Sequence, residues 1–181
     1  AINEISNYRV SQSFNDNSYM RGIVWGDGTL ALGDDTTIQV KAGGGEIVSE
    51  GSEEIGWNTA SLSFDLAGVF AQGGNVQFND NTTVLVNYQE SGMNGFTGAS
   101  TFNRLIGIYS STPGDIVFGD NTKITVSTQN QSHQSDSQLT LNSNLYGLQI
   151  NGGNLSFGDH TEINTLILND QPIYSGSSSY N

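Results

Sequence analysis

The sequence predicts an all-β protein, a parallel β-helix of about four stacked repeat units of roughly 40 residues. Three observations predict this fold. The composition is poor in helix formers and rich in small polar residues. One motif recurs four times at a nearly constant spacing. Within each copy, apolar residues alternate with polar ones at the period of a half-buried β-strand.

The composition and charge exclude several classes of protein. The 181-residue chain has 23 Gly, 20 Asn, 22 Ser and 15 Thr but only 7 Ala. Strong helix formers are therefore too few for a helical bundle, while the regular recurrence of Ile, Val, Leu and Phe argues against disorder. Five basic and 18 acidic residues give a net charge of −13, which disfavours binding to nucleic acid. The absence of cysteine excludes disulfides and thiolate chemistry.

Two anchors define the repeat. The first is an acidic turn residue, found at Asp34, Asp80, Asp120 and Asp159. The second is a glycine 12 or 13 residues before each of these, found at Gly22, Gly68, Gly107 and Gly147. Because two independent anchors keep one spacing through four copies, the copies are interpreted as structural repeats.

Each repeat reads as three short strands separated by two tight turns. Stacking equivalent strands would place Phe78, Phe118 and Phe157 in one interior ladder, with Phe118 between the other two. A second interior ladder is predicted for Ile38, Val84, Ile124 and Ile163. The acidic anchors are predicted to stack at one corner, where a carboxylate can accept hydrogen bonds from backbone N–H groups.

The repeat is longer than a single rung of about 20–25 residues requires. The surplus falls in segments 41–65, 87–104 and 127–144, which are expected to leave the rung at one position as inserts on one flank. The alternative is two rungs per repeat. Around the repeats at 19–166, residues 1–18 read as an N-terminal cap or a preceding rung, and 167–181 as a C-terminal strand and a linker-like Gly/Ser tail.

The inserts supply the candidate binding residues. Aromatic side chains among Ser, Gly and Asn are typical of adaptable contact surfaces. The candidates are Trp57, Tyr88, Phe96 and Phe102. The alternative is that these rings only cover the side of the β-helix as local packing.

The sequence contains few residues that could support catalysis or cofactor binding. His160 occupies a turn position, and Ser132, His133 and Asp136 form a local string rather than a triad assembled from distant positions. The basic residues appear without an acidic cluster in matching repeats; they are Arg9, Arg21, Lys41, Arg104 and Lys123. No enzyme activity, cofactor or metal site is therefore expected. The acidic stretch 46–54 reads as a solvated loop, with weak cation binding as the alternative.

The units at 107–126 and 146–163 resemble passenger domains of bacterial autotransporters, and the resemblance covers roughly residues 19–166. It implies a right-handed parallel β-helix that is secreted or displayed on the bacterial cell surface, commonly as an adhesin in virulence. The implied partner is a host receptor, a glycan, a matrix protein or another copy of the chain. Insertion of this segment into the membrane is not expected. The alternatives are a structural stalk or folding segment and, less favoured, a polysaccharide-active enzyme.

Overall fold

A computed structural model describes residues 5–6, 13–43, 46–50, 59–89, 92–94, 98–130, 138–169 and 179–180. These ranges consist of β-strands and turns and contain no helix, so the all-β prediction is confirmed. The strands are β1 (Ile5–Ser6), β2 (Ser13–Trp25), β3 (Thr29–Leu32), β4 (Thr37–Gly43), β5 (Glu46–Glu50), β6 (Thr59–Ala71), β7 (Asn75–Phe78), β8 (Thr83–Gln89), β9 (Gly92–Asn94), β10 (Gly98–Ser110), β11 (Ile116–Phe118), β12 (Lys123–Asn130), β13 (Gln138–Ile150), β14 (Leu155–Ser156), β15 (Glu162–Asn169) and β16 (Ser179–Tyr180).

The strands form three main parallel sheets in a solenoid arrangement. Sheet A has the order β16-β13-β10-β6-β2, sheet B the order β14-β11-β7-β3, and sheet C the order β15-β12-β8-β4. Every neighbouring pair is parallel, and all but β13–β16 join equivalent positions of successive repeats; in sheet B, Val76 pairs with Leu30 on one side and Ile116 on the other. Each repeat therefore forms one rung, and the alternative of two rungs per repeat is wrong.

The interior contains the predicted ladder of phenylalanines. Phe118 is buried between Phe78 and Phe157, with ring centroids 5.0 and 5.2 Å apart and ring planes within 9° of parallel. This stacking is confirmed. Phe157 is 48% exposed because β14 is an edge strand of its sheet.

The second predicted ladder is also buried in the first three rungs and partly exposed in the fourth. Ile38, Val84 and Ile124 are buried in the core, and Ile163 is 40% exposed on the edge strand β15. The apolar interior is therefore continuous from the first rung to the third, and the fourth rung leaves its interior positions half-covered.

The prediction of separate projecting inserts is wrong for most of the surplus residues. In sheet A, the strands start at Thr59, Gly98 and Gln138, well inside the segments interpreted as inserts. The alternating residues Leu62 and Phe64 continue the apolar pattern of Leu66, so the strand does not break between them. The surplus thus lengthens sheets A and C. The short strands β1, β5 and β9 pair in parallel as a fourth sheet.

The acidic anchors form the predicted corner, but the carboxylates of Asp80 and Asp120 bond the next rung rather than their own turn. Asp80 Oδ1 accepts the backbone N–H of Asp120 at 2.8 Å, and Asp120 Oδ1 accepts that of Asp159 at 2.7 Å. The residue after each anchor has a left-handed backbone, with φ between 56° and 59°. These residues are Asp35, Asn81, Asn121 and His160. The interpretation of His160 as a turn residue is confirmed.

The glycine anchors mark a close approach between sheets A and C. A Cβ atom added to Gly107 would lie 2.5 Å from Ile124 Cγ2, and one added to Gly68 would lie 2.5 Å from Val84 Cγ1. Such distances are too short for any side chain. Glycine recurs here because the branched residue on the facing strand of sheet C and, in the first three rungs, the carbonyl oxygen of the next anchor glycine occupy the space.

The boundaries drawn from the sequence fall inside strands, at 18/19 within β2 and at 166/167 within β15. Strand β2 begins at Ser13, within the segment interpreted as a cap or preceding rung. Strand β16 pairs with β13, with Ser179 opposite Thr140 and Tyr180 opposite Leu141. The described ranges include no helix long and apolar enough to cross a membrane.

Candidate functional site

The outer face of sheet A bends inward at the glycine anchors. Leu66 and Val69 both belong to the core, so the alternation of the strand is interrupted at the two residues between them. Gly68 lies against Val84, and the backbone therefore dips toward the interior at this point. On the opposite face of the sheet, we infer a matching dip of the backbone across the strands, which neighbouring side chains fill.

Two residues form the floor of this dip. Ala67 and Ile106 are register partners, and alternation places them on the face of Asp65 and Arg104, opposite the core. Both are fully buried although neither belongs to the core cluster. Side chains on either side of the floor therefore cover it. We call this dip the outer groove. Arg21 is in register with its floor, and its sides carry Asp65, Arg104, Phe70 and Tyr109.

An acidic residue between two arginines forms one side of the outer groove. Asp65 Oδ2 lies 3.1 Å from Arg21 Nη2 and 2.7 Å from Arg104 Nη2. Arg21 also donates hydrogen bonds to the backbone carbonyls of Met20 and Asp65. The other carboxylate oxygen of Asp65 is buried and accepts no hydrogen bond from the residues described. The group therefore carries one net positive charge.

A stacked aromatic pair forms the other side. The rings of Phe70 and Tyr109 lie 4.8 Å apart at an angle of 24°. The Arg21 guanidinium lies 4.7 Å from the centre of the Phe70 ring, and that of Arg104 lies 5.8 Å from the centre of the Tyr109 ring. Both distances allow a cation–π attraction, which holds the guanidinium groups across the floor of the groove.

The two ends of the outer groove differ in accessibility. The side chain of Arg21 in the first rung is 13% exposed, whereas that of Arg104 in the third rung is 35% exposed. Next to Arg104, Phe102 is 47% exposed and Tyr146 is 39% exposed, and Asn144 is the register partner of Arg104 in the fourth rung. The end formed by rungs three and four is therefore open to a ligand.

The structure separates the predicted binding residues. Tyr88 is fully buried and packs against Phe64, with ring centroids 4.7 Å apart, so its prediction as a surface contact is wrong. It is buried because β8 continues to Gln89 and keeps its alternating side chains inside. Phe102 is exposed beside Arg104 at the outer groove. Trp57 and Phe96 lie outside the described residues, as do Ser132, His133 and Asp136.

The sequence analysis missed the arginines of the outer groove, although the signal was present. Asp65 lies three residues before its glycine anchor, Gly68, and Arg104 lies three before Gly107. One rung per repeat makes these positions neighbours. The basic residues were considered only for an accompanying acidic cluster, so the single Asp65 that pairs with Arg21 and Arg104 was not noticed.

No cluster of three or more metal-ligating side chains occurs in the part of the chain that the structure describes. Within the acidic stretch, Glu46 and Glu50 bound strand β5, and Glu53 and Glu54 lie outside the described residues. No protein-family model, curated protein or solved structure significantly matches the chain.

Proposed function

We propose that this chain is an adhesin segment, a right-handed β-helix displayed on the bacterial cell surface that mediates attachment. The outer groove is the observation that carries the proposal. It places two of the five basic residues of a chain with net charge −13 on one side of an aromatic pair. Arginine and aromatic side chains supply most of the energy at binding surfaces, and a rigid scaffold lowers the entropy cost of binding.

The proposed role is binding rather than catalysis. Arg21, Asp65 and Arg104 hold one another in a fixed geometry, and the positive charge that remains suits recognition of a ligand. The partner is a host receptor, a glycan, a matrix protein or a second copy of the chain. The alternative function is a structural stalk, for which the continuous interior ladder from Phe78 to Phe157 is the favouring observation. A stalk needs the ladder but does not need the groove.

An attachment assay tests the proposal. Beads coated with the purified chain are applied to cultured epithelial cells, mucin and immobilised matrix proteins, and bead–bead aggregation is scored in parallel. The test variant is Arg104→Gln, which removes the accessible cation of the groove. The matched control is Lys123→Gln, which removes an equally paired cation from sheet C.

The proposal predicts attachment or aggregation by the unmodified chain, its loss in Arg104→Gln and its retention in Lys123→Gln. A folded chain that attaches to none of these surfaces and does not aggregate would favour the stalk and contradict the proposal. Equal attachment by both variants would show that the outer groove is not the attachment surface.

A further inference from the structure

We propose that the open end of the outer groove, around Arg104, binds the carboxylate of an acidic sugar. This inference rests on the proposed attachment function and adds the chemical class of the ligand. It follows from three features of this end of the groove, which are the unused donors of Arg104, the local charge and the neighbouring flat side chains.

Arg104 has donors available for a ligand. A guanidinium group carries five N–H donors, and the described contacts of Arg104 use one of them, toward Asp65. Arg21 is less available because it is mostly covered and donates to two backbone carbonyls in addition to Asp65. The fork of an arginine side chain matches a carboxylate in a two-point hydrogen bond. Arg104 is therefore the group that can receive a carboxylate.

The local charge is suited to one anion. Asp65 cancels one of the two arginines, so the ion group is left with a charge of +1. The equivalent positions of the fourth rung are Asn144, Tyr146 and Gln149, none of which is acidic. A single carboxylate would therefore balance the charge. The like charge that it meets is Asp65, which is already paired with both arginines. The acidic remainder of the chain repels polyanions in general, so affinity for a carboxylate polymer has to come from contacts at Arg104 itself.

The surroundings of Arg104 suit a sugar ring. Phe102 and Tyr146 present partly exposed rings, and Asn144 presents an amide that can donate to and accept from hydroxyl groups. A pyranose has an apolar face that packs on aromatic rings and a rim of hydroxyl groups that requires polar partners. These side chains come from two successive rungs, and strands in a sheet are about 4.8 Å apart. The spacing is therefore close to the width of one sugar ring.

An acidic peptide fits this surface less well. Extended peptides gain affinity by adding a strand to an exposed sheet edge, where backbone groups are unpaired. The outer groove lies on a sheet face, and the backbone of β10 already pairs with β6 and β13 on its two sides. A peptide would lack main-chain partners here, whereas a sugar uses only side chains.

Binding to defined polysaccharides tests the inference. The probes are polygalacturonate, a uronate polymer, and polysialic acid, which carries its carboxylate on a different sugar. Fully methyl-esterified polygalacturonate is the matched neutral control, because it keeps the ring and loses the charge. We expect at least one carboxylate polymer to bind. The methyl ester should bind with an affinity at least about tenfold lower, and added salt should weaken binding of the free acid.

The variants locate the site. Arg104→Gln should weaken binding about tenfold, whereas Lys123→Gln should change it by less than about twofold. Arg104→Lys keeps the charge but loses the planar fork, so its affinity should be intermediate. It also provides a second test if Arg104→Gln does not fold. Thermal unfolding confirms that each variant is folded.

The outcomes separate this inference from the proposed function. Equal binding to the ester and the free acid, or unchanged binding in Arg104→Gln, would overturn the inference. No binding to either carboxylate polymer would also overturn it. In that case, beads that still attach in an Arg104-dependent manner would retain the adhesin proposal with another ligand class. If only one polymer binds, the result would identify whether the groove accepts the carboxylate of a uronate or of a sialic acid.

Discussion

Asp65 and Arg104 are 39 residues apart in the chain, and their side chains are paired at 2.7 Å because they are register partners on adjacent strands of sheet A. Arg21 reaches the same carboxylate from the rung before. The ion group thus takes one residue from each of three successive rungs. A shift of the register by one residue would move the three side chains to different faces of the sheet and abolish the group.

Phe118→Ala should cost about 3–5 kcal/mol of unfolding free energy, the usual range for removing a buried Phe. Phe118 is buried and stacked on both sides, whereas Phe157 is stacked on one side and half-exposed. Phe157→Ala is therefore the matched control and should cost less than half as much. Urea unfolding measures both values, and equal costs would contradict the ladder.

Gly107→Ala should destabilise the fold by about 1–3 kcal/mol, because the new methyl group would overlap the Ile124 side chain and the backbone carbonyl of Gly147. The control is Gly33→Ala, since a Cβ atom there would meet no atom within 4 Å. That substitution should change the unfolding free energy by less than about 0.5 kcal/mol. Similar effects of the two substitutions in urea unfolding would contradict the close packing around Gly107.

Asn121→Gly should be tolerated better than Asn121→Ala, by about 1 kcal/mol. Asn121 has a φ of 56°, and a left-handed backbone disfavours alanine more than glycine. Both substitutions lose the hydrogen bond to the Asn81 side chain, so the comparison isolates the backbone. Thermal or urea unfolding measures the difference. An alanine variant as stable as the glycine variant would argue against the left-handed corner.

The Glu162 carboxyl gives a weak dependence of stability on pH. Its hydrogen bond from Asn164 and its pairing with Lys123 hold the pKa of Glu162 below its ordinary value. A lowered pKa stabilises the fold above the ordinary Glu pKa of about 4.3, and the contribution is lost as the pH falls through the folded-state value. The thermal midpoint of Glu162→Gln should therefore fall slightly below that of the unmodified chain at pH 7, and this difference should shrink as the pH is lowered and Glu162 takes up its proton. A larger difference at pH 3 than at pH 7 would contradict this sign.

Much of the fold was readable from the sequence because the repeat fixes which residues are neighbours. The Phe118 ladder, the acidic corner and the turn position of His160 followed from alternation and spacing alone. The role of Gly107 did not, because a glycine required by contact with Ile124 looks in the sequence like a glycine required by a turn.

The length of the strands could not be predicted. Polar residues such as Thr101 and Asn103 suggested a loop in this segment. In the structure, sheet A continues through the segment and buries both side chains. The same error placed Tyr88 on a surface, although strand β8 carries it into the core. The outer groove was missed because its ion group is visible only when positions from three rungs are compared.

The central claim is that each repeat forms one rung, which brings matching residues of successive repeats side by side. The chain has no cysteine, so an engineered pair reports on this directly. Gln77→Cys with Val117→Cys joins exposed register partners of β7 and β11, about 4.8 Å apart and within the range for a disulfide. Gln77→Cys with Ser156→Cys is the control, because β14 pairs with β11 and lies one rung further away.

Mild oxidation of each purified variant, followed by mass spectrometry of the proteolytic fragments, measures the cross-link. One rung per repeat predicts rapid disulfide formation within the monomer for the 77–117 pair and none for the 77–156 pair. If the repeats made two rungs each, residues 77 and 117 would be about 9.6 Å apart, beyond the reach of a disulfide. Failure of the 77–117 pair to cross-link in the folded protein would therefore contradict the architecture and the outer groove together.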